Sequence, residues 1–153
     1  MEGPKYDRLE LKNQLCFPLY ACARETVKLY KPYLDVLDLT YTQYITMLVL
    51  WEEKVVSVKV LGERLYLDSG TLTPLLKKLE AKGLIIRRRS QTDERILNVS
   101  LTKAGERLQA KAMEIPRDLG STVNLDPQEI QQLYHLLYKL LAGTTENRED
   151  GSL

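Results

Sequence analysis

Two strand-like runs and the polar loop between them constrain this chain more than any other feature. Leu84-Ile85-Ile86-Arg87-Arg88-Arg89 and Ile96-Leu97-Asn98-Val99-Ser100-Leu101 flank Ser90-Gln91-Thr92-Asp93-Glu94-Arg95. The unit reads as a β-hairpin with a charged tip. Helical signals surround it. Upstream, Ser57 caps a short helix, Val58 to Tyr66, and Leu67-Asp68 makes a tight turn. Ser69 caps the next helix, Gly70 to Ala81, and Gly83 ends it as a C-terminal glycine does. Two helices joined by a tight turn and followed by a hairpin make a winged helix-turn-helix.

The flanks are helical too. Asp7-Arg8-Leu9-Glu10 has capping-box spacing. The helix it opens carries apolar residues at Leu15/Cys16, Leu19/Tyr20, Ala23, Val27, Tyr30 and Leu34. Pro18 should kink that helix and Pro32 should end or bend it. A second helix runs from Thr40 through Tyr44, Leu48 and Trp51, before a polar break and a brief strand at Val55-Val56. Thr102 caps a helix striped by Ala104, Leu108, Ala112, Ile115 and Leu119, with a bend at Pro116. Asp126-Pro127 opens the last helix, striped by Ile130, Leu133, Leu137 and Leu140/Leu141. The fold class is therefore mainly α with a small β-hairpin wing. Residues 40–101 form the DNA-binding winged helix-turn-helix, residues 7–39 and 102–143 a helical dimerisation region, and 144–153 a disordered tail. The outer helices carry more apolar surface than so small a module covers, which calls for a second copy.

Composition removes whole classes of function. At 153 residues and 44% hydrophobic the chain is globular, and its longest apolar run, Tyr44 to Trp51, is too short for a membrane span. Met1-Glu2-Gly3-Pro4-Lys5 lacks the apolar core of a signal peptide, so a cytoplasmic location is expected. Cys16, Cys22 and His135 are too few for a four-ligand zinc site, a disulfide framework or a hydrolase triad. No metal and no cofactor are expected. His135 lies in a leucine-rich helix and reads as structural. Net charge is only +1, but residues 59–103 carry +5 and the remainder −4. A basic module in an acidic scaffold is the pattern of a nucleic-acid reader.

The second helix of a helix-turn-helix presents its N-terminal residues to base edges in the major groove. Here these are Ser69, Gly70, Thr71, Thr73 and Pro74, with Lys77 and Lys78 further along for phosphates. Arg95 on a narrow hairpin tip suits the negative potential of a minor groove, and Asp93 is placed to hold it. Ser69 also serves as a helix cap, Lys77 and Lys78 also suit a solvated face, and Asp93 and Arg95 also suit an ordinary surface ion pair.

Asp93-Glu94-Arg95-Ile96-Leu97-Asn98-Val99-Ser100-Leu101-Thr102-Lys103-Ala104-Gly105 resembles the wing signature of MarR-family transcriptional regulators. The segments Leu65 to Lys77 and Asn13-Gln14-Leu15-Cys16-Phe17 narrow the resemblance to the one-cysteine, organic-hydroperoxide-sensing (OhrR-type) subgroup. It covers residues 11 to about 141. The resemblance implies a homodimer that binds double-stranded DNA at a pseudo-palindromic operator as a repressor. It makes Cys16 the peroxide sensor, with Tyr30 and Tyr41 of the partner subunit as hydroxyl donors to its sulfur. Oxidation by an organic hydroperoxide, followed by capping with a small thiol or by over-oxidation, then releases DNA.

Residue chemistry alone leaves other readings open. Cys16 on an apolar stripe also suits a small buried hydrophobe, and desolvation there disfavours a thiolate. With the helix start at Asp7, Cys16 is over two turns from the N-cap and gains little from the helix dipole. Cys22 lies about 240° further round the helix and reads as structural. Nine tyrosines, among them Tyr20, Tyr33 and Tyr44, also suit a regulator released by a small aromatic ligand. A thiol peroxidase is the remaining alternative, without a resolving cysteine to support it.

Overall fold

The computed structural model describes residues 6–115 and 124–149. Two short 3-10 turns, Asp7–Leu9 and Leu11–Asn13, precede α1, Cys16–Val36. Then come α2 (Tyr41–Glu53), β1 (Val55–Ser57), α3 (Val58–Leu65), α4 (Ser69–Ala81), β2 (Ile85–Arg89), β3 (Leu97–Leu101) and α5 (Lys103–Ala112). A separate unit holds α6, Pro127–Glu149.

The first helix starts eight residues later than the capping-box reading expects. Asn13 Nδ2 donates to the Asp7 carbonyl at 2.7 Å, and Gln14 Nε2 donates to the Arg8 carbonyl at 2.7 Å. These side-chain bonds occupy acceptors a helix would need. Pro18 consequently falls in the first turn of α1, where its missing N–H costs nothing and no kink is required. Pro32 does not end the helix either; α1 passes through it to Val36.

Thr40 caps α2 with a full capping box: its hydroxyl accepts from Gln43 N at 3.3 Å, and Gln43 Oε1 accepts from Thr40 N at 3.1 Å. Ser57 and Thr102 cap α3 and α5 as expected. The cap of α4 is Asp68, not Ser69; Asp68 Oδ1 accepts from Thr71 N at 2.7 Å. Asp68→Ala should therefore cost about 1 kcal/mol, whereas Ser69→Ala should stay within about 0.5 kcal/mol of the parent. Paired thermal melts check this.

The brief strand expected at Val55-Val56 is β1, and it joins the hairpin as a third strand of the wing. β3 is central, with antiparallel β1 pairing Val56 to Val99 and antiparallel β2 pairing Arg87 to Val99. Against this sheet α2, α3 and α4 contribute the fully buried Met47, Leu50, Leu61, Leu72, Leu76 and Leu79, closed by Ile85 and Val99. Leu34, Leu37 and Leu39 at the end of α1 join the same core, as does Ile115 after α5. The rest of α1 is different. Leu15, Phe17, Tyr20, Val27, Leu29, Tyr33 and Val36 are all exposed.

In α6, Asp126 Oδ1 caps the start by accepting from Gln128 N and Glu129 N. Ile130, Leu133, Tyr134, Leu136, Leu137, Tyr138 and Leu140 are exposed. The helix continues to Glu149, six residues into the segment expected to be a disordered tail. Thr144 and Thr145 bond back to the Leu141 and Ala142 carbonyls and continue the helical turn. The bend expected at Pro116, the stripe residue Leu119, the N-terminal pentapeptide and residues 150–153 lie outside the described residues. No helix among the described residues is long and apolar enough to cross a membrane.

Candidate DNA interface and cysteine site

α4 has two faces. Leu72, Leu75, Leu76 and Leu79 are buried at helical spacing. Ser69, Gly70, Thr71, Thr73, Pro74, Lys77 and Lys78 are all exposed. With Asp68 as the cap, the Ser69 hydroxyl is not required to start the helix. The turn before α4 is tight: a Cβ on Gly62 would stand 2.8 Å from the Leu67 carbonyl oxygen, and Tyr66 takes φ 55°.

At the wing tip Asp93 holds Arg95 by both carboxylate oxygens. Oδ1 accepts from Arg95 N at 3.0 Å and Nε at 3.1 Å, and Oδ2 accepts from Nη2 at 3.1 Å. These bonds hold the Asp93 carboxyl below the usual range. The arginine side chain remains 91% exposed. Arg89 donates to the Glu94 carbonyl at 3.2 Å and stiffens the same loop.

The basic segment is not uniformly available. Arg64 is clamped by Glu52 and Glu53 at 2.7 Å each, Arg87 is paired with Glu80, and Lys82 with Asp38. Arg88 and Arg89 on β2 are exposed, beside the tip. Sequence reasoning passed over both; burial along β2 falls steadily from buried Ile85 to exposed Arg88 and Arg89 at the tip end.

Cys16 and Cys22 are free thiols, and both are exposed in the single chain. Cys16 is the first residue of α1, and no side chain caps that turn. Cys16 therefore stands at the helix start, not over two turns inside it as the capping-box reading placed it. Tyr20 lies one turn on, with Arg24 over its ring at 5.5 Å.

Tyr30 and Tyr41 meet where α1 faces α2, with ring centroids 5.2 Å apart. Tyr44 completes the cluster at 5.9 and 6.4 Å. Burial, reinforced by Tyr30, raises the Tyr41 phenol above its ordinary value; burial first, then Tyr30 and Tyr41, does the same for Tyr44. Their hydroxyls thus stay protonated and able to donate. Tyr30 is fourteen residues from Cys16 on one helix, about 21 Å along the axis. The structure therefore does not bring Cys16 and this cluster together within one protomer. Beside the cluster lies a half-open cavity of about 250 Å³, lined by Val27, Leu34, Leu39, Thr40 and Tyr41 with Lys28, Lys31 and Asp35 around it.

Known proteins align with this arrangement. The model of the SarA/Rot transcriptional regulator family matches residues 28–112. The organic hydroperoxide resistance transcriptional regulator of Bacillus subtilis is 50% identical over 137 residues, 90% of this chain and 93% of that protein. The structure of overoxidized AbfR bound to DNA, a protein of Staphylococcus epidermidis, superposes with a TM-score of 0.75 at 35% identity, covering 92% of this chain and 99% of that one. A mutant MarR from E. coli bound to operator DNA superposes with a TM-score of 0.78 at 25% identity, covering 91% and 99%.

Proposed function

The chain belongs to the MarR/SarA-type family of winged-helix transcriptional regulators, and on that premise we propose that it is a cytoplasmic, homodimeric, redox-sensing repressor that leaves its operator when an organic hydroperoxide oxidises Cys16. It acts by binding rather than by turnover. Two α4 helices, one per subunit and about 34 Å apart, read the two half-sites through Ser69, Gly70, Thr71, Thr73 and Pro74. Lys77 and Lys78 hold phosphates, and Arg95, fixed by Asp93, enters the minor groove. Residues 7–39 and 102–143 form the dimerisation region. The exposed apolar residues of α1 and α6 support that division, since a lone chain leaves them in water.

The separation of Cys16 from the Tyr30/Tyr41 pair carries the sensing half of the proposal. Fourteen residues of one helix keep them apart in a protomer, so a second copy is what would let the phenols donate to the sulfur. In the reaction the Cys16 thiolate attacks the distal oxygen of the hydroperoxide. An S–O bond forms, the O–O bond breaks with its electron pair passing to the leaving alkoxide, and the alkoxide takes a proton from water to depart as the alcohol. The sulfur, oxidised by two electrons, is a sulfenic acid. A small thiol then condenses with it, giving a mixed disulfide and water. A bulky group at a packed subunit interface tilts the two DNA-binding lobes as rigid bodies and spoils their spacing. Cys22, about 240° round α1 from Cys16, is structural.

The test is fluorescence anisotropy on the chain's own upstream DNA at fixed salt, before and after cumene hydroperoxide with a small thiol. Release on oxidation is expected; undiminished binding would leave a DNA reader without a peroxide switch. The cavity beside Tyr41 favours a second reading, release by a small aromatic ligand. Thermal shift with phenols on Cys16→Ser protein separates the two. Stabilisation accompanied by DNA release favours the ligand.

A further inference from the structure

The wing segment ends in a threonine and a glycine that DNA reading does not explain. Thr102 Oγ1 accepts from Gly105 N at 3.1 Å and donates to the Gly83 carbonyl at 2.6 Å. Thr102 N donates to the Leu84 carbonyl at 3.1 Å, and Leu84 N donates to the Leu79 carbonyl at 3.1 Å. Gly105 is pressed onto this turn so closely that a Cβ would stand 2.1 Å from the Leu84 oxygen. The first turn of α5 and the exit from α4 are therefore one joint.

A third helix enters it. Trp51, near the end of α2, donates its indole Nε1–H to the Gly105 carbonyl at 2.9 Å, with only 6% of the residue exposed. At its other end α2 carries Tyr41 and Tyr44, packed on Tyr30 of α1. Trp51 is ten residues past Tyr41, about 15 Å along a stiff helix. One end of α2 thus meets the tyrosine cluster, and the other is bonded to the joint behind the recognition helix. Packed interiors shift between discrete arrangements rather than deforming smoothly. What they transmit depends on which helices are bonded together.

We propose that Trp51 is a positioning residue for DNA release: its indole bond to Gly105 locks α2, α5 and the exit of α4 into one body. Displacement at the tyrosine cluster then turns the recognition helix instead of being absorbed between helices. The inference rests on the redox reading above.

Trp51→Phe tests it, because phenylalanine keeps an apolar ring and removes the donor; it also trims the ring's volume, which the core control below accounts for. Operator affinity is measured on the full chain, reduced and after cumene hydroperoxide with a small thiol, with Cys16 oxidation followed by mass spectrometry. The variant should bind the operator in its reduced state, and Cys16 should oxidise to the same extent as in the parent. The ratio of oxidised to reduced Kd should fall by about tenfold. Leu61→Val, a core trim away from the joint, should lower the melting temperature and leave that ratio alone; equal loss of the ratio there would make Trp51 merely structural.

Trp51 is the chain's sole tryptophan, so its emission reports on the joint directly. A locked joint leaves the emission maximum unchanged on oxidation, and a shift overturns the proposal. If the phenylalanine variant does not fold, such a shift still overturns the proposal. A parent that stays bound after oxidation removes the switch and the proposal together. A parent and a Trp51→Phe variant that release equally remove only the proposal.

Discussion

Cys16→Ser protein is expected to stay on its operator through a hydroperoxide treatment that weakens the parent by about 10³-fold, the lower reach of the gap between specific and non-specific binding. Serine matches cysteine in shape and is not oxidised on the same path. Cys16 is exposed at the first residue of α1 and lies outside the core, so the exchange leaves folding intact. It also leaves α4 and the wing tip untouched, which is why reduced affinity should not move. Cys22→Ser should respond like the parent, since Cys22 sits on another face of α1. Loss of response in Cys22→Ser with retention in Cys16→Ser would move the sensor to the wrong cysteine and sink the assignment. Tyr41→Phe should oxidise more slowly at unchanged reduced affinity. Burial and Tyr30 hold the Tyr41 phenol above its ordinary pKa. It therefore keeps its donor proton at neutral pH and loses it only above the usual phenol range, so the rate difference between Tyr41→Phe and parent should persist from pH 6 to 9.

The middle of the chain was legible because its signals are local. Thr40, Ser57 and Thr102 cap by bonding amides three residues away, and the hairpin strands are joined by one short turn. What was misread depends on competition or distance. Asp68 and Ser69 are adjacent, equally good caps; Asp68 keeps the extended backbone of an N-cap, and Ser69 is already helical. The Asp7 box failed because Asn13 and Gln14 capture nearby carbonyls first. That one shift moved Cys16 from mid-helix to a helix start. The brief strand at Val55-Val56 was legible, but its pairing was not, because its partner β3 lies more than forty residues on. Trp51 and Gly105 are 54 residues apart, and no local pattern announces a buried indole bond.

Arg95→Ala is expected to weaken the operator complex by roughly 10²-fold or more, because a contact worth about 1–3 kcal/mol is lost twice in a symmetric dimer. The magnitude follows from how the arginine is held. A free arginine gives up about 2 kcal/mol of rotamer entropy on docking. Here Asp93 has already fixed the guanidinium and the Arg95 amide, yet the side chain remains 91% exposed. The tip is prepared for a ligand rather than for the protein's own stability, so the melting temperature of Arg95→Ala should match the parent. Asp93→Asn, which keeps one acceptor oxygen and loses the charge, should fall between the two in affinity. The pH dependence has a definite sign. Arg95 depresses the Asp93 carboxyl, so the pair is intact above the ordinary carboxylate range and is lost only as pH falls through that lowered value. It should therefore contribute no change in operator affinity between pH 6 and 8. Salt supplies the last discrimination: Arg95→Ala should flatten the slope of log K against log salt by about two, one per subunit. An unchanged slope together with unchanged affinity would take the wing off the DNA and leave α4 to read the operator alone.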